Sequence, residues 1–356
     1  MADRATGSVG PGSGRGGAPA AIALTPILSA RYRARDLERI REAAPGARIV
    51  TLSIEGRSDE PVDDVEVLLH GWLSADAFDR LLARAPRLTW VHSASAGVER
   101  ALTPASRERG VVITNARGVF SRPIAEYVMM MILAVSRRLP GLLELQRERT
   151  WQPLEGTELR DVTVGIVGLG SIGRAVGALA TAFGCRVVAT RRRPDFGPEA
   201  DFAGRADEEL SFGEAMLERV GGPETLPALL AESDFVVLAA PLTAETENMI
   251  DGETLAAMKP GAWLINVARG RLVDERALLR ALREGHIGGA ILDTFRDEPL
   301  QPGSPFYDLP NVIVTPHTSW SSARVLDRSV ELFCDNLRRF AEGAPLVNVV
   351  DPSRGY

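Results

Sequence analysis

The chain has 356 residues, 45% of them hydrophobic and 25% charged, with a formal net charge of −6. That length predicts about two domains with material for real cores, and the acidic balance excludes the basic footprint of a nucleic-acid-binding surface. Cys185 and Cys334 stand far apart in apolar stretches. They read as buried reduced thiols, not a disulfide framework, which favours the cytoplasm. No metal-ligand spacing occurs among the cysteines and the four histidines. The most apolar helix-like run, 124–135, is too short to cross a bilayer, so no membrane association is expected. Residues 1–20 are rich in Gly, Ser, Ala, Pro and Arg without an apolar run, and read as a flexible tail, not a secretory signal.

From Ala21 the hydrophobic pattern alternates. Strands are predicted over 21–28, 48–53, 65–70, 88–93 and 111–114, with amphipathic helices over 35–44 and 74–85, the second capped by Ser74. This alternation predicts a parallel sheet covered on both faces. Two loops follow strand ends: Ser93-Ala-Ser-Ala-Gly-Val-Glu99 and Asn115-Ala-Arg-Gly118. Ligands of open α/β sheets bind beyond the carboxyl ends of strands, so the N–H groups around Ala96 and Gly97 suit a carboxylate, against the plainer reading of a connecting turn. A long helix over 124–138 follows, with Pro123 near its first turn. It is apolar around most of its circumference, as a buried or inter-subunit helix is.

The run Val164-Gly-Ile-Val-Gly168-Leu-Gly170-Ser-Ile-Gly173 joins a strand to a helix predicted over 174–183. Gly168 permits the tight turn, Gly170 the approach of a pyrophosphate, and Gly173 close helix–strand packing. The free N–H groups and positive dipole end of that helix then face the phosphates. The next strand, 186–189, leads to Arg191, Arg192 and Arg193, where an NAD-preferring fold carries an acidic residue for the ribose hydroxyls. Guanidinium groups there suit a 2′-phosphate, so NADP(H) is favoured, with NAD(H) as the alternative.

Residues 198–222 read as an acidic insertion with one helical patch over 212–220. A helix is expected over 226–233, and a strand over 235–239 ends at Pro241. A helical segment over 253–258 precedes a strand over 262–266, which stops at Val267-Ala-Arg269. A helix over 274–284 leads to a strand over 289–292, followed by Asp293 and Glu298. The last strand, 312–314, ends at Thr315-Pro-His317, and a final helix covers 321–342. Arg269, Glu298 and His317 each follow a strand. Singly they read as a surface guanidinium, a solvated acid and a loop histidine. Together they supply an anion clamp, a carboxylate and an acid/base, the equipment for reducing a 2-oxo acid. His70, His92 and His286 fit that use less well.

With these motifs in order, the sequence resembles the D-isomer-specific 2-hydroxyacid dehydrogenases, from about Ala21 to Val349. The resemblance implies an α/β protein in which a Rossmann dinucleotide-binding domain, 121–318, is inserted into a flavodoxin-like α/β substrate-binding domain of 21–120 and 319–356. It implies Arg269, Glu298 and His317 as catalytic residues, and Ala96, Gly97 and Arg269 as contacts of the substrate carboxylate. Cofactor contacts are implied for Gly168, Gly170, Ser171, Ile172, Gly173, Arg191, Arg192, Pro241, Val267 and Asp293, the last to the nicotinamide amide. A homodimer built on long helices of the nucleotide domain, 124–138 among them, is also implied, with a small 2-oxo or 2-hydroxy acid as ligand. Arg191 departs from NAD-preferring members and resembles glyoxylate/hydroxypyruvate reductases. Glu298 argues against the formate dehydrogenase branch, which carries glutamine there. Residues 93–99, 118–122 and Trp320 are the expected lining for the substrate side chain. The alternatives are an NAD-dependent dehydrogenase of another D-2-hydroxy acid, phosphoglycerate-type or branched, and a dinucleotide-sensing corepressor on the same fold.

Overall fold

Strands and helices alternate throughout the computed structural model, which describes residues 17–27, 32–192 and 216–353. The described residues fall into two units. One comprises those up to Val119 together with those from Ala323 onward, and the other runs between Phe120 and Ser322.

The first unit contains β1 (Ala21–Leu24), α1 (Ala34–Ala43), β2 (Arg48–Thr51), β3 (Val65–His70), α2 (Ala75–Arg84), β4 (Trp90–Ser93), α3 (Pro104–Glu108) and β5 (Val112–Thr114). Its sheet is parallel, in the order β2-β1-β3-β4-β5. That is the flavodoxin-like order. Successive residues of a strand point to opposite faces, and here both faces are buried. Ala23, Leu68 and Val91 meet Phe78 and Leu81 of α2, while Ile22, Leu69 and Trp90 meet Ile40 of α1 on the other side. Ser74 caps α2 as expected, its hydroxyl accepting from the Ala77 N–H. The short α3 was not foreseen. Its five residues are too few for a periodic signal, although Thr103 caps it and Pro104 opens it.

The second unit begins with α4 (Ser121–Ser136) and α5 (Leu139–Arg147). The sequence predicts one helix ending at Arg138. Instead Arg138 takes a left-handed conformation (φ 59°) and a second helix starts. No residue of α5 is buried, and Leu139, Leu142 and Leu143 are exposed. Then come β6 (Thr163–Val167), α6 (Ser171–Ala182), β7 (Arg186–Thr190), β8 (Arg219–Gly221), α7 (Leu226–Glu232), β9 (Phe235–Leu238), α8 (Gly252–Ala257), β10 (Trp263–Asn266), α9 (Glu275–Glu284), β11 (Gly289–Leu292) and β12 (Val312–Val314). All pair in parallel, in the order β12-β11-β10-β9-β6-β7-β8. The order reverses between β6 and β9, the doubly wound arrangement that opens a ligand crevice at the switch point.

The strand β8 corrects the helical patch expected over 212–220. Residues 212–215 lie outside the described residues, and 219–221 pair with β7, Val188 opposite Arg219 and Thr190 opposite Gly221. An available ladder partner on β7 outweighs a weak local helical preference. The remaining helix, α10 (Val325–Glu342), starts four residues later than predicted and belongs to the first unit, where Phe333 and Leu337 join Ile40 and Trp90. Gly343, left-handed at φ 70°, ends it. Both cysteines are buried free thiols. Among the described residues no helix is long and apolar enough to cross a membrane, and no group of three His, Cys, Asp or Glu could hold a metal.

Candidate active site

The turn from β6 into α6 is set by glycine. Gly168 has φ 99°, and a Cβ there would lie 2.5 Å from the Ala240 amide nitrogen. A Cβ on Gly173 would meet the Gly168 carbonyl oxygen at 2.2 Å. At Gly170, the N-cap of α6, nothing lies within 4 Å of that position and no side chain caps the helix. The first turn, Ser171-Ile172-Gly173, is therefore an uncapped helix N-terminus with open space over its leading glycine, which fits a pyrophosphate.

Arg191 and Arg192 follow β7, the Arg191 N–H donating to the Gly221 carbonyl at 2.9 Å. Thr243 chiefly, and the charge of Arg192 to a lesser degree, hold the Glu245 carboxyl below its ordinary range. A 2′-phosphate on Arg192 would thus share that guanidinium's field with Glu245. Pro241 lies just past β9 with its carbonyl accepting from the Thr246 hydroxyl at 2.7 Å, and Val267, just past β10, is buried.

The neighbouring strands β10, β11 and β12 deliver Arg269, Glu298 and His317. After β10, buried Asn266 shapes the turn: its Oδ1 accepts from the Ala268 N–H (3.1 Å) and its Nδ2 donates to the Arg269 carbonyl (3.0 Å). Gly270 then allows the chain to press on the segment beyond β11, since a Cβ there would sit 1.9 Å from the Phe295 carbonyl carbon. This approach brings the Arg269 charge into the field of Glu298. Glu298 accepts from the Phe295 N–H through Oε1 (3.0 Å) and faces His317 Nδ1 through Oε2 (2.8 Å). Burial pushes the Glu298 carboxyl up. The hydrogen bonds of His317 and Phe295 and the charges of His317 and Arg269 outweigh that, leaving it below its ordinary value.

A carboxylate below its ordinary range is an acceptor at neutral pH, so the proton of this pair sits on Nδ1. Nε2 is then the ring nitrogen left to give or take a proton. The two side chains are 39% and 37% exposed. An ion pair that open contributes at most about 1 kcal/mol to folding, so its consequence is orientation and not stability.

The His317 loop is tightly held. His317 has φ 49°, and its carbonyl accepts from the Trp320 indole N–H at 2.7 Å. Fully buried Asp293 accepts from the Thr315 hydroxyl (2.6 Å) and the Thr318 N–H (2.8 Å) through Oδ1, and from the Ser319 N–H (3.0 Å) through Oδ2. Asp293, also the residue expected to meet the nicotinamide amide, thus clasps the histidine loop through both of its oxygens. The Tyr127 hydroxyl of α4 lies 2.7 Å from Thr315 Oγ1. Sequence reasoning missed Tyr127, Thr315 and Asn266, since nothing local marks a polar group on a helix or strand end as a partner of a distant loop.

In the first unit, the Gly97 carbonyl accepts from the Ser95 hydroxyl (2.6 Å), and the Ala96 carbonyl from Asn115 Nδ2 (3.0 Å). With these carbonyls anchored, the Ala96 and Gly97 N–H groups have no acceptor among the described residues, an arrangement that suits an anion. The other histidines of this unit are buried and neutral. Desolvation lowers His70 to about 4, with the charge of Arg100 adding to it, and lowers His92 to about 3.

Residues 129–319 match the family model "D-isomer specific 2-hydroxyacid dehydrogenase, NAD binding domain". A glyoxylate reductase of Korarchaeum cryptofilum is 34% identical over 318 residues, 87% of each protein. A D-3-phosphoglycerate dehydrogenase of Mycobacterium tuberculosis is 37% identical over 277 residues, 77% of this chain, which spans about half (49%) of that relative. A crystal structure of a D-isomer specific 2-hydroxyacid dehydrogenase from Xanthobacter autotrophicus Py2, in complex with NADPH and MES, superposes with a TM-score of 0.80. It is 31% identical and covers 95% of this chain and 100% of its own. With the doubly wound sheet and its glycine turn, these matches make the chain a member of the D-isomer specific 2-hydroxyacid dehydrogenases, NAD(P)-dependent oxidoreductases.

Proposed function

We propose that the protein reduces a small 2-oxo acid, glyoxylate or hydroxypyruvate, with NADPH as the favoured cofactor. The observation that carries the reading is the 2.8 Å pair of His317 Nδ1 and Glu298 Oε2 beside the charge of Arg269. The α6 N-terminus at Gly168, Gly170, Ser171, Ile172 and Gly173 would hold the pyrophosphate, and Arg191 and Arg192 the 2′-phosphate. Pro241, Val267 and Asp293 would flank the remainder of the cofactor. When bound, the nicotinamide supplies the hydride that adds to C2 of the acid.

The chain's own residues do the rest. Arg269 pairs with the substrate carboxylate and polarises the 2-oxo group. Protonated Nε2 of His317 donates to the alkoxide as it develops, while Glu298 keeps the ring oriented through Nδ1. In the oxidative direction neutral His317 takes that proton back. Ala96 and Gly97 are proposed as carboxylate donors on the strength of their own loop.

Residues 121–318 are read as the nucleotide domain and 21–120 with 319–356 as the substrate domain. The exposed Leu139, Leu142 and Leu143 of α5 and fully exposed Trp151 support a homodimer, since such side chains are normally covered. A cytoplasmic setting is supported by the two free thiols.

The 37% identity to a phosphoglycerate dehydrogenase favours a second reading, NAD-dependent oxidation of a larger D-2-hydroxy acid. Steady-state kinetics across 2-oxo acids of rising side-chain size, each with NADPH and NADH, separate the two. Higher kcat/KM with NADPH and glyoxylate or hydroxypyruvate is expected. Equal efficiency with NADH sinks the role given to the arginines.

A further inference from the structure

We propose that Tyr127 is a positioning residue for His317, acting from α4 through Thr315 and Asp293. The inference rests on the reductase reading above in giving His317 the proton transfer. Three hydroxyl and carboxyl groups lie in line: Tyr127 Oη to Thr315 Oγ1 at 2.7 Å, and Thr315 Oγ1 to Asp293 Oδ1 at 2.6 Å. A threonine hydroxyl has one proton, and here it goes to a carboxylate oxygen that also takes the Thr318 N–H. Tyr127 must therefore be the donor to Thr315. Its phenol is well suited to that part, because burial pushes it up to about 12, so it keeps its proton at any working pH.

The chain of bonds reaches the peptides on either side of His317. Thr315 lies two residues before it and accepts the His317 N–H at its carbonyl (3.0 Å), and Thr318 and Ser319 follow it. The histidine between them holds a left-handed backbone conformation that a non-glycine residue rarely adopts, so these anchors must over-determine it. Donation from Tyr127 polarises the Thr315 hydroxyl and strengthens its bond to Asp293, as linked hydrogen bonds do at low dielectric. A buried residue of α4 is thereby tied to the angle at which the imidazole meets Glu298.

Tyr127→Phe keeps the ring and removes only the hydroxyl. Its kcat is expected to fall roughly three- to ten-fold, the size of one lost hydrogen bond, with KM for the cofactor within about two-fold of wild type. Thr315→Val should lose as much or more, and Thr315→Ser should recover most of that loss. In the Thr315→Val background the tyrosine change should add nothing further, because the relay is already cut. A second readout needs no substrate. The NMR signal of the His317 Nδ1 proton, assigned by its disappearance in His317→Asn, should move or broaden in Tyr127→Phe. Additive losses in the double variant overturn the proposal, as does a Tyr127→Phe enzyme with wild-type kcat and an unmoved Nδ1 resonance. If no 2-oxo acid is turned over by the wild type, the reductase reading fails, and the resonance alone decides the relay.

Discussion

The two sheets treat histidine in opposite ways. His92 lies inside β4 of the first unit, fully buried between Trp90 and Phe333, with Nδ1 on the Thr114 hydroxyl at 2.8 Å. His317 lies beyond β12 of the second, 39% exposed and facing a carboxylate. Desolvation drives the first to about 3 and makes it a neutral core group at any ordinary pH. The second keeps its Nδ1 on the Glu298 carboxylate at 2.8 Å and lies open to solvent. A parallel sheet buries both faces of its strands, so chemistry survives only where strands end. His70, the last residue of β3, is buried like His92 and is likewise held neutral, so what sets His317 apart is its exposed position beyond the strand and its carboxylate partner.

The strongest way to break this contrast is His317→Ala. Turnover should fall by about 10²- to 10⁴-fold, with NADPH binding by fluorescence titration left intact. Full activity would place the acid/base elsewhere. Arg269→Gln should cost about 10²- to 10³-fold in kcat/KM, because both the anion clamp and the polarising charge go; a change in KM alone would reduce Arg269 to a binding role. For Glu298→Gln, kcat should drop by roughly 10- to 1,000-fold as the ring loses its orienting charge.

The sign of the pH effect at Glu298 follows from its lowered value. Its contribution to stability is complete above the ordinary carboxyl value of 4.5 and is lost only as pH falls through the depressed folded value. The wild type should therefore keep its His317–Glu298 pair at pH 5, checked by the Nδ1 proton resonance. Gly270→Ala tests how the ends of β10 and β11 are brought together. A Cβ 1.9 Å from backbone must displace it, so about 1–3 kcal/mol of stability and much of the activity should be lost, read by urea unfolding and kcat/KM.

The smallest effect sharpens the other side of the comparison. His70 and His92 stay neutral when folded but protonate near 6.5 when unfolded. Their contribution is complete above pH 6.5 and is lost as pH falls toward 4 and 3. Stability should decline with acid over pH 6.5 to 4, at up to about 1.4 kcal/mol per pH unit for each histidine. His92→Asn should remove about half of that slope, and an unchanged slope would show that His92 is not buried neutral.

Much of this was legible beforehand because it is local. A glycine that needs φ 99°, a helix start without a cap and a charged residue just past an apolar run leave marks within a few residues of themselves. What escaped was set by partners far along the chain. The strand β8 exists because β7 offers it a ladder. The predicted helix over 124–138 ends early because Arg138 turns left-handed. The engagement of both Asp293 oxygens by residues 22 to 26 positions away is likewise set by the fold.

By itself the sequence determined the alternation of strands and helices, the glycine turn, and the order in which Arg269, Glu298 and His317 emerge. Periodicity, backbone sterics and strand-end placement are properties of neighbouring residues. Only tertiary structure decided which nitrogen of His317 is free, how Gly270 draws Arg269 toward Glu298, and that a tyrosine on α4 bonds to the histidine loop. These depend on distances of about 3 Å between groups up to 188 residues apart, and only packing can set them.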